Sequence, residues 1–203
     1  MTADRNRAPR QLALGLDHQA AFTRADFLVG DANQDAVSLV DRWPLWPEEG
    51  VFLLGPAGSG KSHLVEIWRR ASGALAVSAA RLGTAEAAAA GEAPAVAVED
   101  LRAGPLDEAA LFHLLNLVRE RRIPLLVTSR LPAGALGLRL PDLASRLRAI
   151  RPVGLAAPDD DLLRRVLVKL FADRQLAVDA AVIDYLARRM ERSLEAASEG
   201  EAA

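Results

Sequence analysis

A glycine-rich octad, Gly55-Pro56-Ala57-Gly58-Ser59-Gly60-Lys61-Ser62, follows the apolar run Val51–Leu54 and leads into a segment with apolar residues at helical spacing. That strand–loop–helix context is what phosphate binding requires of such a loop. Its glycines let backbone N–H groups converge on an anion at a helix N-terminus, Lys61 can reach the β- and γ-phosphates of a nucleotide, and the Ser62 hydroxyl can ligate Mg²⁺. Further along, Ala95-Val96-Ala97-Val98 runs into Glu99-Asp100, an apolar strand ending in two carboxylates. One carboxylate would hold Mg²⁺, with Glu99 the candidate ligand beside Ser62, and Asp100 would orient an attacking water. Aspartate is usual at the first of these positions, and Glu99 is longer by a methylene. Leu125-Leu126-Val127-Thr128-Ser129 is another apolar strand ending in hydroxyls, placed to sense a γ-phosphate or simply to cap the strand. After it, Arg146 follows a short amphipathic stretch; by itself it reads as a solvated surface arginine.

These residues need a scaffold, and the chain alternates short apolar runs with amphipathic segments from Phe22 to about Gly154. The pattern predicts strands at Val51–Leu54, Leu75–Ser78, Val96–Val98, Leu125–Thr128 and Ile150–Val153. Helices are expected at Lys61–Arg70, Thr84–Ala90, Asp107–Arg121 and Asp142–Arg148. The fold class expected is α/β, a five-stranded parallel P-loop sheet with flanking helices. Pro158-Asp159-Asp160-Asp161 offers a turn and cap before a helix at Leu162–Arg174, and Val178-Asp179 precedes another running to about Ala197. Two helices in succession without a strand suggest a small helical lid. The organisation expected is an arm over 1–20, a nucleotide-binding α/β domain over 21–156 and a lid over 157–203, the lid minimal or cut short.

Composition narrows the possibilities. With 203 residues, 51% of them hydrophobic, the chain can bury one ordinary core with a small appendage. A net charge of −2 gives no bulk electrostatic reason to bind nucleic acid or an anionic membrane. Cysteine is absent, which removes disulfides and thiolate metal sites, and His18, His63 and His113 are far apart in sequence. No apolar run approaches the roughly 20 residues that cross a bilayer, so a cytoplasmic location is expected. Lys61 and Lys169 are the only lysines in an arginine-rich chain. A lysine kept in the loop suggests chemistry for which arginine is no substitute.

Together the motifs resemble the DnaA-related AAA+ ATPases of bacterial replication initiation, on the branch of the Hda-type regulators. The resemblance is carried by Phe22-Thr-Arg-Ala-Asp-Phe27-Leu-Val29-Gly30-Asp-Ala-Asn33, the P-loop, Glu99-Asp100-Leu101, Leu111-Phe-His113-Leu-Leu-Asn116, Val127-Thr-Ser129-Arg130 and Asp142-Leu-Ala-Ser-Arg146-Leu147. It implies that Phe27, Val29 and Asn33 lie about the base and ribose of ADP or ATP, and that His63, next after the P-loop, is a further nucleotide-binding residue. It further implies that Ser129 is sensor 1, and that Arg146 is an arginine finger acting in trans. The family's sensor 2 arginine falls at Glu195, with Arg192 one turn earlier and Arg189 as the candidates. Glu99 and the displaced sensor 2 imply a domain that binds nucleotide well and hydrolyses it weakly. By the same resemblance, Gln11-Leu12-Ala13-Leu14-Gly15-Leu16 looks like a motif for the DNA polymerase III sliding clamp (its β subunit). From the residues alone, those leucines could equally pack on the protein's own surface.

The resemblance thus implies a negative regulator of replication initiation whose partners are the clamp and DnaA, with DNA met only through the clamp and no membrane involved. A homo-oligomer is an open possibility. Its rival is a DnaA-like ATP switch or helicase loader working in its own oligomer.

Overall fold

Val96–Val98 and Leu125–Val127 are apolar at every position, which a strand tolerates only when helices cover both faces of its sheet. A computed structural model, whose described residues are 23–46 and 50–189, shows that arrangement. In chain order the elements are α1 (Gln34–Asp41), β1 (Gly50–Leu54), α2 (Lys61–Ser72), β2 (Leu75–Ser78), α3 (Thr84–Gly91), β3 (Val96–Leu101), α4 (Glu108–Arg121), β4 (Leu125–Ser129), α5 (Pro141–Ala149), β5 (Arg151–Gly154), α6 (Asp160–Asp173) and α7 (Ala180–Arg189). The five strands form one parallel sheet in the order β2-β3-β4-β1-β5. The α/β class expected from the sequence is the one found.

Successive strand residues point to opposite faces, and the two cores sort accordingly. Phe52, Val96, Val98, Leu125 and Val127 join Leu111, Leu114, Leu143 and Leu147 on one face. On the other, Val51, Leu53, Ala95, Ala97 and Leu126 pack with Leu64, Val65 and Trp68 of α2 and with Val37 and Val40 of α1. Trp46 stacks on Trp68 with centroids 5.0 Å apart, and its indole N–H donates to Leu39 O at 2.8 Å. This clasp fixes α1 against α2. β5 is an edge strand, which accommodates Pro152 without loss of a ladder bond.

Helix ends follow local chemistry. Asp107 caps α4 by accepting from Ala110 N at 2.9 Å, and Asp159 caps α6 by accepting from Leu162 N at 2.7 Å. The cap at Asp159 starts α6 at Asp160, ahead of the Leu162 start expected from apolar periodicity. β3 runs to Leu101, past the expected Val98, because it bulges between those residues and then re-pairs with β4. α1 had no counterpart in the expected elements. The expected helix reaching Ala197 is described as far as Arg189, and its remainder lies outside the described residues.

Helices α6 and α7 have a small cluster of their own, Leu163, Leu167, Ile183 and Ala187. Burying the three larger side chains stabilises by roughly 1.5–3 kcal/mol each. Ordering helices of 14 and 10 residues costs roughly 1–2 kcal/mol per residue, so their own hydrogen bonds and this cluster need help from the sheet domain. That help comes at the segment 23–33. Lys169 Nζ pairs with Asp26 at 2.9 Å, Arg165 donates to Val29 O at 3.1 Å, and a Cβ on Gly30 would lie 3.5 Å from the Leu162 side chain.

Candidate nucleotide-binding site

In a parallel sheet the loops that follow the strands share one edge, and three of them converge here. Leu54 stands in register with Ser129, and Gly55 N donates to Ser129 O at 3.2 Å as the P-loop departs. Leu155 N donates to Leu54 O at 2.7 Å on the opposite flank. Gly58 (φ 63°) and Gly60 (φ 95°) take left-handed conformations that carry the backbone round to α2. Gly55 is required for a different reason: a Cβ there would stand 2.4 Å from Leu155 O and 2.8 Å from Ser59 Oγ. Gly55→Ala is therefore expected to cost roughly 1–3 kcal/mol of stability and to weaken nucleotide binding. Denaturant melts and a nucleotide titration read both effects, and a variant matching the wild type in each would contradict this packing.

Pro56 and Ala57 complete the loop, while Ser59 is buried beneath it. Lys61 Nζ donates to Gly55 O at 2.9 Å and Pro56 O at 2.6 Å and lies 3.4 Å from Ser59 Oγ. Its ammonium is thus held over the mouth of the loop by carbonyls, a position from which phosphate oxygens can take over the same donors. Ser62 follows at the exposed first turn of α2.

Ser62, at the start of α2, lies near enough to the end of β3 for its hydroxyl to act on the Glu99 carboxylate. Burial pushes the Glu99 carboxyl above its ordinary range, and the Ser62 hydroxyl opposes that rise. A divalent cation held by both side chains would favour the ionised form. One turn along α2, Glu66 is drawn down to about 2 by Arg69 and Arg70, which contact it at 2.6 and 2.7 Å. Asp100 lies in the bulge of β3 with φ 59°, and its N–H donates to Thr128 Oγ1 at 2.8 Å. Its carboxylate pairs with Arg102, which holds it below the usual range, and the charges of Arg130 and Lys61 act in the same direction. Among the described residues no group of three or more His, Asp or Glu could hold a metal by itself. Mg²⁺ at Ser62 and Glu99 would need phosphate and water oxygens to complete its shell.

The other predicted residues fall in distinct places. Ser129 is fully buried, its hydroxyl within donating distance of either Leu101 O (2.7 Å) or Leu131 O (2.8 Å) and accepting from Leu131 N (3.0 Å). As folded, that hydroxyl fastens β4 to the end of β3. Asn33 is also spent locally: its amide donates to Leu28 O and accepts from Gly30 N, both at 3.0 Å, which shapes the 28–33 turn. Phe27 is buried with its ring edge-on to His63 at 4.9 Å, and His63 Nε2 lies 3.3 Å from Thr23 O. Burial lowers the His63 pKa. Val29 packs against the hydrophobic cluster that contains Phe27. Arg146, on α5, lays its guanidinium over the Phe112 ring of α4 at 5.0 Å, so the structure holds it against α4 rather than the P-loop. Gln11, Leu12, Leu14, Leu16 and Arg192 lie outside the described residues.

Sequence reasoning passed over Lys169, which joins α6 to Asp26, although its rarity among the arginines was the available signal. It also passed over Arg130, whose place beside the P-loop depends on strand order.

Sheet order, P-loop and terminal helices together define an AAA+ P-loop fold. No protein-family model and no curated protein matches the chain. Among solved structures it is similar to a DNA replication initiation factor (TM-score 0.78, 19% identity, covering 90% of this chain and 63% of that one). It is similar also to the replication initiator DnaA bound to AMPPCP and single-stranded DNA (TM-score 0.76, 19% identity, 89% and 63%). A third is domain III of DnaA from Thermotoga maritima (TM-score 0.72, 14% identity, 89% and 86%). The chain therefore spans less than two thirds of the length of the first two.

Proposed function

We propose that this chain is an Hda-type AAA+ regulator that binds ADP or ATP with Mg²⁺ and stimulates hydrolysis of ATP held by DnaA. The observation that carries the nucleotide-binding part of the reading is a P-loop with Lys61 held over its mouth and Ser62 near Glu99, in a fold similar to DnaA. Bound Mg²⁺ would neutralise phosphate charge and fix the phosphate oxygens. The chain's own residues do the rest: Gly58–Ser62 present N–H groups at the start of α2, Lys61 supplies a positive charge, and Phe27, edge-on to His63 of α2, supplies an apolar ring in the segment expected beside the base. Asp100 is the residue proposed to orient an attacking water, and its pairing with Arg102 fits slow turnover.

Arg146 is the proposed finger. The Phe112 ring beneath its guanidinium anchors the charge on the α4 side, away from this chain's own P-loop and toward a partner's phosphates. Gln11–Leu16 is the proposed tether to the sliding clamp, which would raise the effective concentration of the two ATPases without strong direct contact. The test is calorimetric titration of the clamp with the whole chain and with Gln11→Ala/Leu12→Ala. Binding by the wild type that the double variant loses supports the tether. Absence of wild-type binding shifts weight to a second reading, a DnaA-like ATP switch in its own oligomer, which the likeness to an initiator solved with single-stranded DNA favours.

A further inference from the structure

Both hydroxyls at the end of β4 are occupied by backbone. Thr128 Oγ1 accepts from Asp100 N, and Ser129 Oγ serves Leu101 and Leu131. The next polar side chain is Arg130, and strand pairing fixes where it stands. Gly55 N bonds to Ser129 O, so Arg130 follows β4 at the level where the P-loop begins on one side. On the other side Leu101 pairs with Ser129, and the bulge holding Glu99 and Asp100 lies between β3 and this same point. Arg130 is exposed, and its guanidinium makes no hydrogen bond or ion pair with the described residues. Its charge is nonetheless close enough to act on Asp100, as does that of Lys61.

The site therefore carries two carboxylates beside the position of a terminal phosphate, and two cations able to offset them. A nucleoside triphosphate brings more negative charge toward Glu99 and Asp100 than a diphosphate does, so the cation at the far end matters most for the triphosphate. We propose that Arg130 contacts the terminal phosphate of a bound nucleoside triphosphate and sets this site's preference between tri- and diphosphate. Ser129 then has a structural part, tying together the strands that aim Arg130. The proposal rests on the nucleotide-binding reading above.

The test titrates the full chain with Mg-ADP and with a non-hydrolysable Mg-ATP analogue, for wild type, Arg130→Ala and Arg130→Lys. Loss of a charge-assisted phosphate contact predicts roughly tenfold or weaker analogue binding for Arg130→Ala, with ADP affinity changed less than about twofold. Arg130→Lys, which keeps the charge and loses the fork, should fall between. Unchanged affinities, or equal weakening for both nucleotides, would overturn the role of Arg130 while leaving nucleotide binding intact. Failure of the wild type to bind either nucleotide would overturn the nucleotide-binding reading, and this assignment with it.

Discussion

Arg146→Ala is expected to abolish stimulation of ATP hydrolysis on DnaA while leaving the chain's own nucleotide affinity within about twofold of wild type. An arginine finger places a fixed positive charge against the charge that develops on the transferring phosphoryl group, and its loss typically costs roughly 10³–10⁵ in rate. The geometry supports the separation of effects. Arg146 stacks on Phe112 of α4, and its guanidinium contact is not with the P-loop. Fold damage should be small, because α5 is held in the core by Leu143 and Leu147, both buried. Arg146→Lys should recover little, since an ammonium cannot reproduce the planar fork. Single-turnover decay of DnaA-bound ATP reads the effect, and full activity in Arg146→Ala would remove the finger from the mechanism.

The second large effect is expected of Lys61→Ala. Lys61 is the cation at the mouth of the loop, with its ammonium already donating to Gly55 O and Pro56 O. A charged hydrogen bond contributes roughly 1.5–3 kcal/mol, and the removal of one or two toward phosphate predicts at least ~10-fold weaker binding of ADP and ATP. Arginine should be a poor replacement at this position, because the donors must fit between two carbonyls and a phosphate from one compact ammonium. Nucleotide titration checks this directly, and wild-type affinity in Lys61→Ala would place the ligand elsewhere.

The legibility of the chain depended on how local each signal was. Leu75–Ser78 and the start of α2 at Lys61 were readable because strand composition and the P-loop pattern reside in adjacent residues. α1 was not readable in the same way: its apolar face is explained by Trp46 and Trp68, which meet it only after folding. The carboxylate pair Glu99-Asp100 was visible as a strand end, yet the bulge that turns Asp100 to φ 59° depends on Thr128 from another strand. Ser129 shows the limit most clearly. Sequence resemblance marks it as a sensor, whereas the fold buries its hydroxyl in backbone bonds that neighbouring residue types do not reveal. The same strand order brings Ser129, with Arg130 next after it, to the level of Gly55, a juxtaposition that no spacing along the chain encodes. Asn33 repeats the lesson at the other end, since its amide closes its own turn.

Trans-activation of ATP hydrolysis on DnaA is what separates this reading from a plain nucleotide-binding domain. Its most direct measurement is the rate at which ATP bound to DnaA decays when the wild-type chain and clamp-loaded DNA are added together and separately. Acceleration should need both components and disappear when Gln11 and Leu12 are replaced. Decay at the rate of DnaA alone, with both components present, would contradict it.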